Sequence, residues 1–171
     1  MSVLKAAIDA AKKNSISTIA VASTSGDTAS KLFDLVKTEK LRLIVVTHDE
    51  GRATNERRFD EDIRRRLLAN NVTVYTHNPS MILARKIMNN ILGKLGLPTW
   101  YKHLAEIRAK YGTGIKVCHI IVHMLMESKA IRGGRIIAIA GTKKGADSAA
   151  IFSVRLQDKR PILEKVISKE G

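Results

Sequence analysis

Two short segments combine glycine with hydroxyls or cations, the residue types that can hold a phosphate. The first is Ser23-Thr24-Ser25-Gly26-Asp27-Thr28. It follows an apolar, β-branched run and leads into a helical pattern. The free N–H groups of Gly26, Asp27 and Thr28 would point at an anion, and the hydroxyls of Ser23, Thr24 and Ser25 would add donors. The same residues also make an ordinary helix N-cap. The segment is neither a GxxxxGK[ST] loop nor GxGxxG. The second is Gly141-Thr142-Lys143-Lys144-Gly145-Ala146-Asp147-Ser148. Its two glycines, hydroxyl and two lysines can wrap a phosphate, although a hairpin with exposed lysines explains it too.

Histidines form the other group with possible chemistry. Two apolar runs end in the same dipeptide, Thr47-His48 and Thr76-His77. Side by side, these histidines could hydrogen-bond a ligand; a metal site with Asp49 is disfavoured, since no acidic cluster supports it. His119 and His123 stand four apart on an apolar helix, but Ile120 occupies the glutamate position of HExxH, so they read as core or interface histidines. Cys118, on the same helix, reads as an inert buried thiol. Arg64-Arg65-Arg66 and Arg85-Lys86 read as solvated helix faces.

The elements that would position these residues alternate. Helical spacing runs over 3–14, 29–37, 60–70, 81–94 and 100–111, with a buried helix over 115–126. The stripe Ala84, Ile87, Met88, Ile91 and Leu95 is the pattern of a core-packed helix. A short apolar run at 17–23 predicts a strand covered on both faces; runs at 41–47, 72–76, 135–140 and 148–154 predict further strands, and 163–168 an edge strand. This order predicts right-handed crossovers and a mainly parallel sheet, with the strands on either side of the 141–146 loop antiparallel. If the first and fourth strands are neighbours, both glycine loops flank one crevice.

The chain has 171 residues, 30 of them Lys or Arg and 16 Asp or Glu, for a net charge of +14. Such a balance suggests nucleic acid, an anionic surface or a phosphorylated ligand. The excess is spread unevenly. Residues 1–50 hold 7 basic and 6 acidic residues, whereas 101–171 hold 14 and 6, so the first loop lies in nearly neutral sequence. Aromatics make up only 4%, which disfavours a single-strand binder that stacks bases. The length suits one domain over 1–171. A single cysteine, no secretory signal at the N-terminus and no run long enough to cross a bilayer lead to the expectation of a cytoplasmic protein with no membrane partner.

Five segments together resemble a known family: 19–32 (IAVASTSGDTASKL), 43–51 (LIVVTHDEG), 59–67 (FDEDIRRRL), 111–118 (YGTGIKVC) and 136–154 (IIAIAGTKKGADSAAIFSV). The chain resembles the stand-alone pyruvate kinase α/β-domain-like proteins, relatives of the C-terminal domain of pyruvate kinase found largely in archaea. It departs from them after Cys118, with Ile120 and Val122 where the family carries Glu and Thr. The resemblance implies a three-layer α/β/α sandwich. Its mixed five-stranded sheet would run in the order 3-2-1-4-5, with the last strand antiparallel.

It further implies a binder of flavin mononucleotide (FMN) or a similar phosphorylated ligand, with no assigned reaction. Ser23, Thr24, Ser25, Gly26 and Thr28 would form one cradle and Gly141, Thr142, Gly145, Ala146 and Asp147 the other wall, flanked by Thr47, His48 and His77. From the residues themselves, Asp27, Lys143 and Lys144 join that set. The expected partners are a phosphorylated small molecule and further copies of the chain. Two other functions stay open: a basic RNA- or DNA-binding protein, and a flavin-dependent or phosphoester-processing enzyme built on His48, His77, Asp27 and Asp147.

Overall fold

The computed structural model describes residues 2–47, 58–76, 87, 90–95, 99–141, 145–155 and 157–168. Along the chain run α1 (Val3–Lys13), β1 (Thr18–Ala22), α2 (Asp27–Val36), β2 (Arg42–Thr47), α3 (Glu61–Ala69) and β3 (Thr73–Thr76). Then follow α4 (Trp100–Tyr111), α5 (Thr113–Glu127), β4 (Gly134–Ala140), β5 (Ser148–Val154) and β6 (Ile162–Ser168). Residues 90–94, between β3 and α4, are also helical.

The strands form one mixed sheet in the order β3-β2-β1-β4-β5-β6. The β1–β2, β2–β3 and β1–β4 pairs are parallel; β5 runs antiparallel to β4, and β6 antiparallel to β5. The sheet thus has six strands rather than the five that the resemblance implies. β5 is buried along almost its whole length, and an open edge there would leave its backbone groups unpaired. β6 covers that edge. Its outward Glu164 and Lys165 are exposed, and Glu164 pairs with Arg135 at 2.9 Å, as suits a strand that must not recruit another.

Strand residues alternate between two cores, because successive side chains point to opposite faces. Ile19, Val21, Leu43, Val45, Ile137, Ile139 and Ile151 join Leu4, Ile8, Leu32, Phe33 and Leu67 from α1, α2 and α3. On the other face Ala20, Ile44, Val46, Ile136, Ala138 and Phe152 meet Ile115, Cys118, Ile121, Val122 and Leu125 of α5 and Ile107 of α4. Registers such as Ile19↔Leu43 and Ile19↔Ile137 keep like faces together across the sheet. Helices therefore cover both faces.

Local signals fix the helix ends. The Asp60 carboxylate accepts from the N–H groups of Asp62 and Ile63, both at 2.9 Å, an N-cap interaction that stabilises by about 1 kcal/mol. Arg66 then joins α3 to α2 through the Asp34 carboxylate and through Ser30 Oγ at 3.2 Å. That guanidinium holds the Asp34 carboxyl below its ordinary value.

The stripe over 81–95 departs from expectation. Among its described residues Ile87 is 54%, Ile91 50% and Leu95 67% exposed. The sheet faces are covered by α1–α3 and by α4–α5, and these three side chains lie outside both cores.

Candidate functional site

β1 ends where the chain must leave the sheet and turn into α2. Ser23 N–H still bonds to the Val46 carbonyl at 3.0 Å, extending the ladder by one residue. The turn then needs a left-handed residue, and Gly26 supplies it with φ +103°, a region open to glycine and costly for others. A Cβ at Gly26 would also stand 3.1 Å from the Ile63 side chain. The Asp60 N–H donates to the Ser25 carbonyl at 2.9 Å. The loop is thus clamped onto the start of α3.

Two of its hydroxyls are already used. Ser23, only 6% exposed, accepts the Ala29 N–H on its Oγ at 3.4 Å. Ser25 Oγ donates to Asp27 Oδ2 at 2.8 Å and lies 3.5 Å from the Asp27 backbone N. The N-cap itself is Gly26, with no side-chain cap hydrogen bond; these bonds instead tie the two serine hydroxyls to the first turn of α2. Thr24 and Thr28 are half-buried, and among the described residues their hydroxyls carry no hydrogen bond. The side-chain donors left to meet an anion, beside the backbone N–H groups of the turn, are therefore the Thr24 and Thr28 hydroxyls at the positive end of α2. The exposed Asp27 carboxylate beside them opposes one.

β4, parallel to β1 and next to it, ends at the same sheet edge. There Gly141 is half-buried and its Cα lies hard against the Gly145 carbonyl, with no room for a Cβ. Gly145 is exposed and Ala146 half-buried; Ala146 packs against the α1–α3 core. Asp147 is held on three sides: its N–H donates to the Ala140 carbonyl at 3.1 Å; its carbonyl accepts from Ser168 Oγ at 3.4 Å, and its Oδ1 from Ser148 Oγ at 2.8 Å. Thr47, 4% exposed, ends β2 at this edge, in register with Thr76. Arg64 reaches the Thr76 hydroxyl at 3.4 Å. His48, His77, Thr142, Lys143 and Lys144 lie outside the described residues.

The segment 112–114, within the 111–118 stretch that carries part of the resemblance, also contributes to this edge. At Gly112-Thr113-Gly114 the N-terminus of α5 approaches so closely that a Cβ on Gly114 would overlap Ser148 Oγ and come within 2.9 Å of Asp147 Oδ1. The signal is the Gly-Thr-Gly itself, just ahead of an apolar helix. Cys118 lies one turn further on, fully buried, its Sγ 3.4 Å from the Ala138 carbonyl. Burial, with the Asp147 charge adding to it, pushes the thiol far up, which removes it as a nucleophile.

A second polar cluster sits between α4 and α5. His103 Nε2 lies 3.3 Å from His119 Nε2, and the Trp100 ring packs 5.6 Å from His119 and 4.2 Å from His123. His119 and His123 are 2% and 7% exposed, the core positions expected of them. Burial, then the charges of His103, His123 and Arg160, push His119 down to about 3. Among the described residues no three His, Cys, Asp or Glu side chains group to hold a metal ion. No helix among them is long and apolar enough to cross a membrane. No protein-family model matches the chain.

Proposed function

We propose that this chain binds a phosphorylated small molecule at the sheet edge between the β1 and β4 loops. One observation carries the reading: β1 and β4 are adjacent and parallel, while the chain runs from β1 outward to β2 and β3 on one side and returns to β4 on the other. Strand order reverses there, and the ends of strands at such a reversal are where ligands of open α/β sheets bind. The left-handed Gly26 turn, the start of α2 and the close approach of Gly141 to the Gly145 carbonyl suit a phosphate. The α5 N-terminus at the same edge adds a second positive helix end.

The residues described at this edge fit the phosphate better than the ring of a flavin, since they offer no exposed aromatic surface to stack on. FMN is the specific ligand that the resemblance to pyruvate kinase α/β-domain-like proteins supports. Protein purified without added ligand should carry flavin absorbance, or bind added FMN with a rise in Tm. Thr24→Val with Thr28→Val should weaken that binding about ten-fold by deleting two hydrogen bonds. If FMN neither copurifies nor raises Tm while other phosphorylated ligands do, the flavin reading is wrong and the phosphate reading stands. If no phosphorylated ligand binds, both fail.

A further inference from the structure

The apolar stripe outside both cores serves neither the fold nor the phosphate edge. Residues 87 and 90–94 are helical, and a spacing of four puts Ile87, Ile91 and Leu95 on one face. At least half of each of these side chains meets solvent. Leu92, off that face, is half-buried. The helix stops where the Leu95 N–H reaches the carbonyls of Ile91 and Leu92, at 3.3 and 3.2 Å. A Cβ on Gly93 would lie 3.8 Å from the Thr99 methyl, so the helix adjoins the start of α4, where Tyr101 is also exposed. Single exposed aliphatics need no explanation, but a row of them on one face marks a contact surface.

Charge says what kind of surface it meets. Between Asp62 and Glu106 the sequence has no acidic residue. Arg64, Arg65 and Arg66, at the start of that stretch, are matched by Glu61, Asp62 and Asp34. The other cations, Arg85, Lys86, Lys94 and Lys102, surround the stripe in the sequence with no acid among them. Lys94 and Lys102 are exposed. Solvated cations alone would call for no partner; here they accompany an apolar face, and one occupant has to satisfy both.

A second copy of the chain would cover the aliphatics, but an isologous contact sets the patch against itself and brings like charges together. A nucleic acid would answer the cations and leave the aliphatics in water. A bilayer with anionic headgroups answers both, because the acyl boundary receives the apolar face while Lys and Arg stay at headgroup level. No helix among the described residues is long and apolar enough to cross a bilayer, so the contact is with its surface. We propose that the Ile87, Ile91 and Leu95 face docks this chain on an anionic lipid surface, with Lys94 and Lys102 against the headgroups. This departs from the expectation of no membrane partner. The 12 residues of α4, about 18 Å of helix, separate its start from the Gly112-Thr113-Gly114 turn at the phosphate edge, so the two sites can be tested apart.

Co-flotation of the full chain with vesicles of phosphatidylcholine, alone or in an equimolar mixture with phosphatidylglycerol, tests this. The chain should float with the anionic vesicles, far less with the neutral ones, and less as salt rises. Ile87→Ser with Ile91→Ser should weaken binding at least about ten-fold and leave Tm unchanged, since neither side chain belongs to a core. Lys94→Gln with Lys102→Gln should weaken it about ten-fold at low salt and much less at high salt. Ile91→Trp should be quenched by brominated acyl chains, which the native chain, with its single Trp100 buried, should not show. The proposal is overturned if the native chain stays free of anionic vesicles. It is overturned too if the double serine variant binds them like the native chain, which would leave charge alone as the cause. A dimer in sedimentation that the same variant splits would give the face to a second copy and overturn it as well.

Discussion

The Ser25 hydroxyl faces a choice that residue types alone do not decide. A serine ahead of a helix can cap it or meet an anion, and the same donors and acceptors serve both. Here Ser25 donates to Asp27, and Ser23 accepts from Ala29, so the loop's chemistry narrows to Thr24 and Thr28. Asp27 decides how well an anion fits. Its exposed carboxylate sits in the first turn of α2, where it satisfies the helix dipole that a phosphate would otherwise use. Asp27→Asn removes one negative charge from that end. At a separation near 4 Å in a solvated site this is worth about 1 kcal/mol, so phosphate or FMN affinity should rise about five-fold, as calorimetry would read. An unchanged or weakened affinity would place the anion away from α2. The types and spacing of the loop residues were thus legible in the sequence. The direction of each hydroxyl was not, because it depends on Asp60, the N-cap of α3, and Ile63 of α3 packing onto Ser25 and Gly26.

The strands were readable as elements because each is an apolar run bounded by polar turns. The β1–β4 adjacency follows from how the crossovers close. β6 could be seen as an edge strand, yet its place as a sixth member of the sheet depends on β5 needing an outer neighbour. The stripe at 81–95 shows the limit of periodicity. Helical spacing of Ile87, Ile91 and Leu95 says that one face is apolar, but not whether any core is left to receive it. Their exposure makes a sharp contrast with Ile121 of α5, which is 3% exposed. Ile121→Ala should cost about 2–5 kcal/mol, a fall in Tm of roughly 5–15 °C for a chain of this size. Ile91→Lys should stay within about 0.5 kcal/mol. Thermal unfolding of both variants checks this. A fall for Ile91→Lys as large as that for Ile121→Ala would mean that the stripe is covered in solution, as the expected association of copies would do.

The charge of +14 and the buried histidines together govern how the whole molecule answers to acid. His119 is neutral in the fold, held down to about 3 by burial first and by its cationic neighbours second. Unfolded, it would titrate near 6.5. Between those values the unfolded chain binds more protons than the folded one, so stability rises with pH across that window. The contribution is complete above about pH 6.5 and is lost as pH falls toward 3, with a slope of up to about 1.4 kcal/mol per pH unit. His103, lowered by burial and by Arg160, acts in the same direction. Geometry agrees, because the 3.3 Å contact between the two Nε2 atoms needs one of them free of a proton. Acid also adds positive charge to a chain already rich in it, which raises self-repulsion, but added salt screens that component between exposed groups. Denaturant unfolding from pH 7 to 4 at high salt should therefore retain the histidine slope, and His119→Gln should flatten it. Equal slopes for the two proteins would assign the acid sensitivity to surface charge and leave the α4–α5 contact without a part in it.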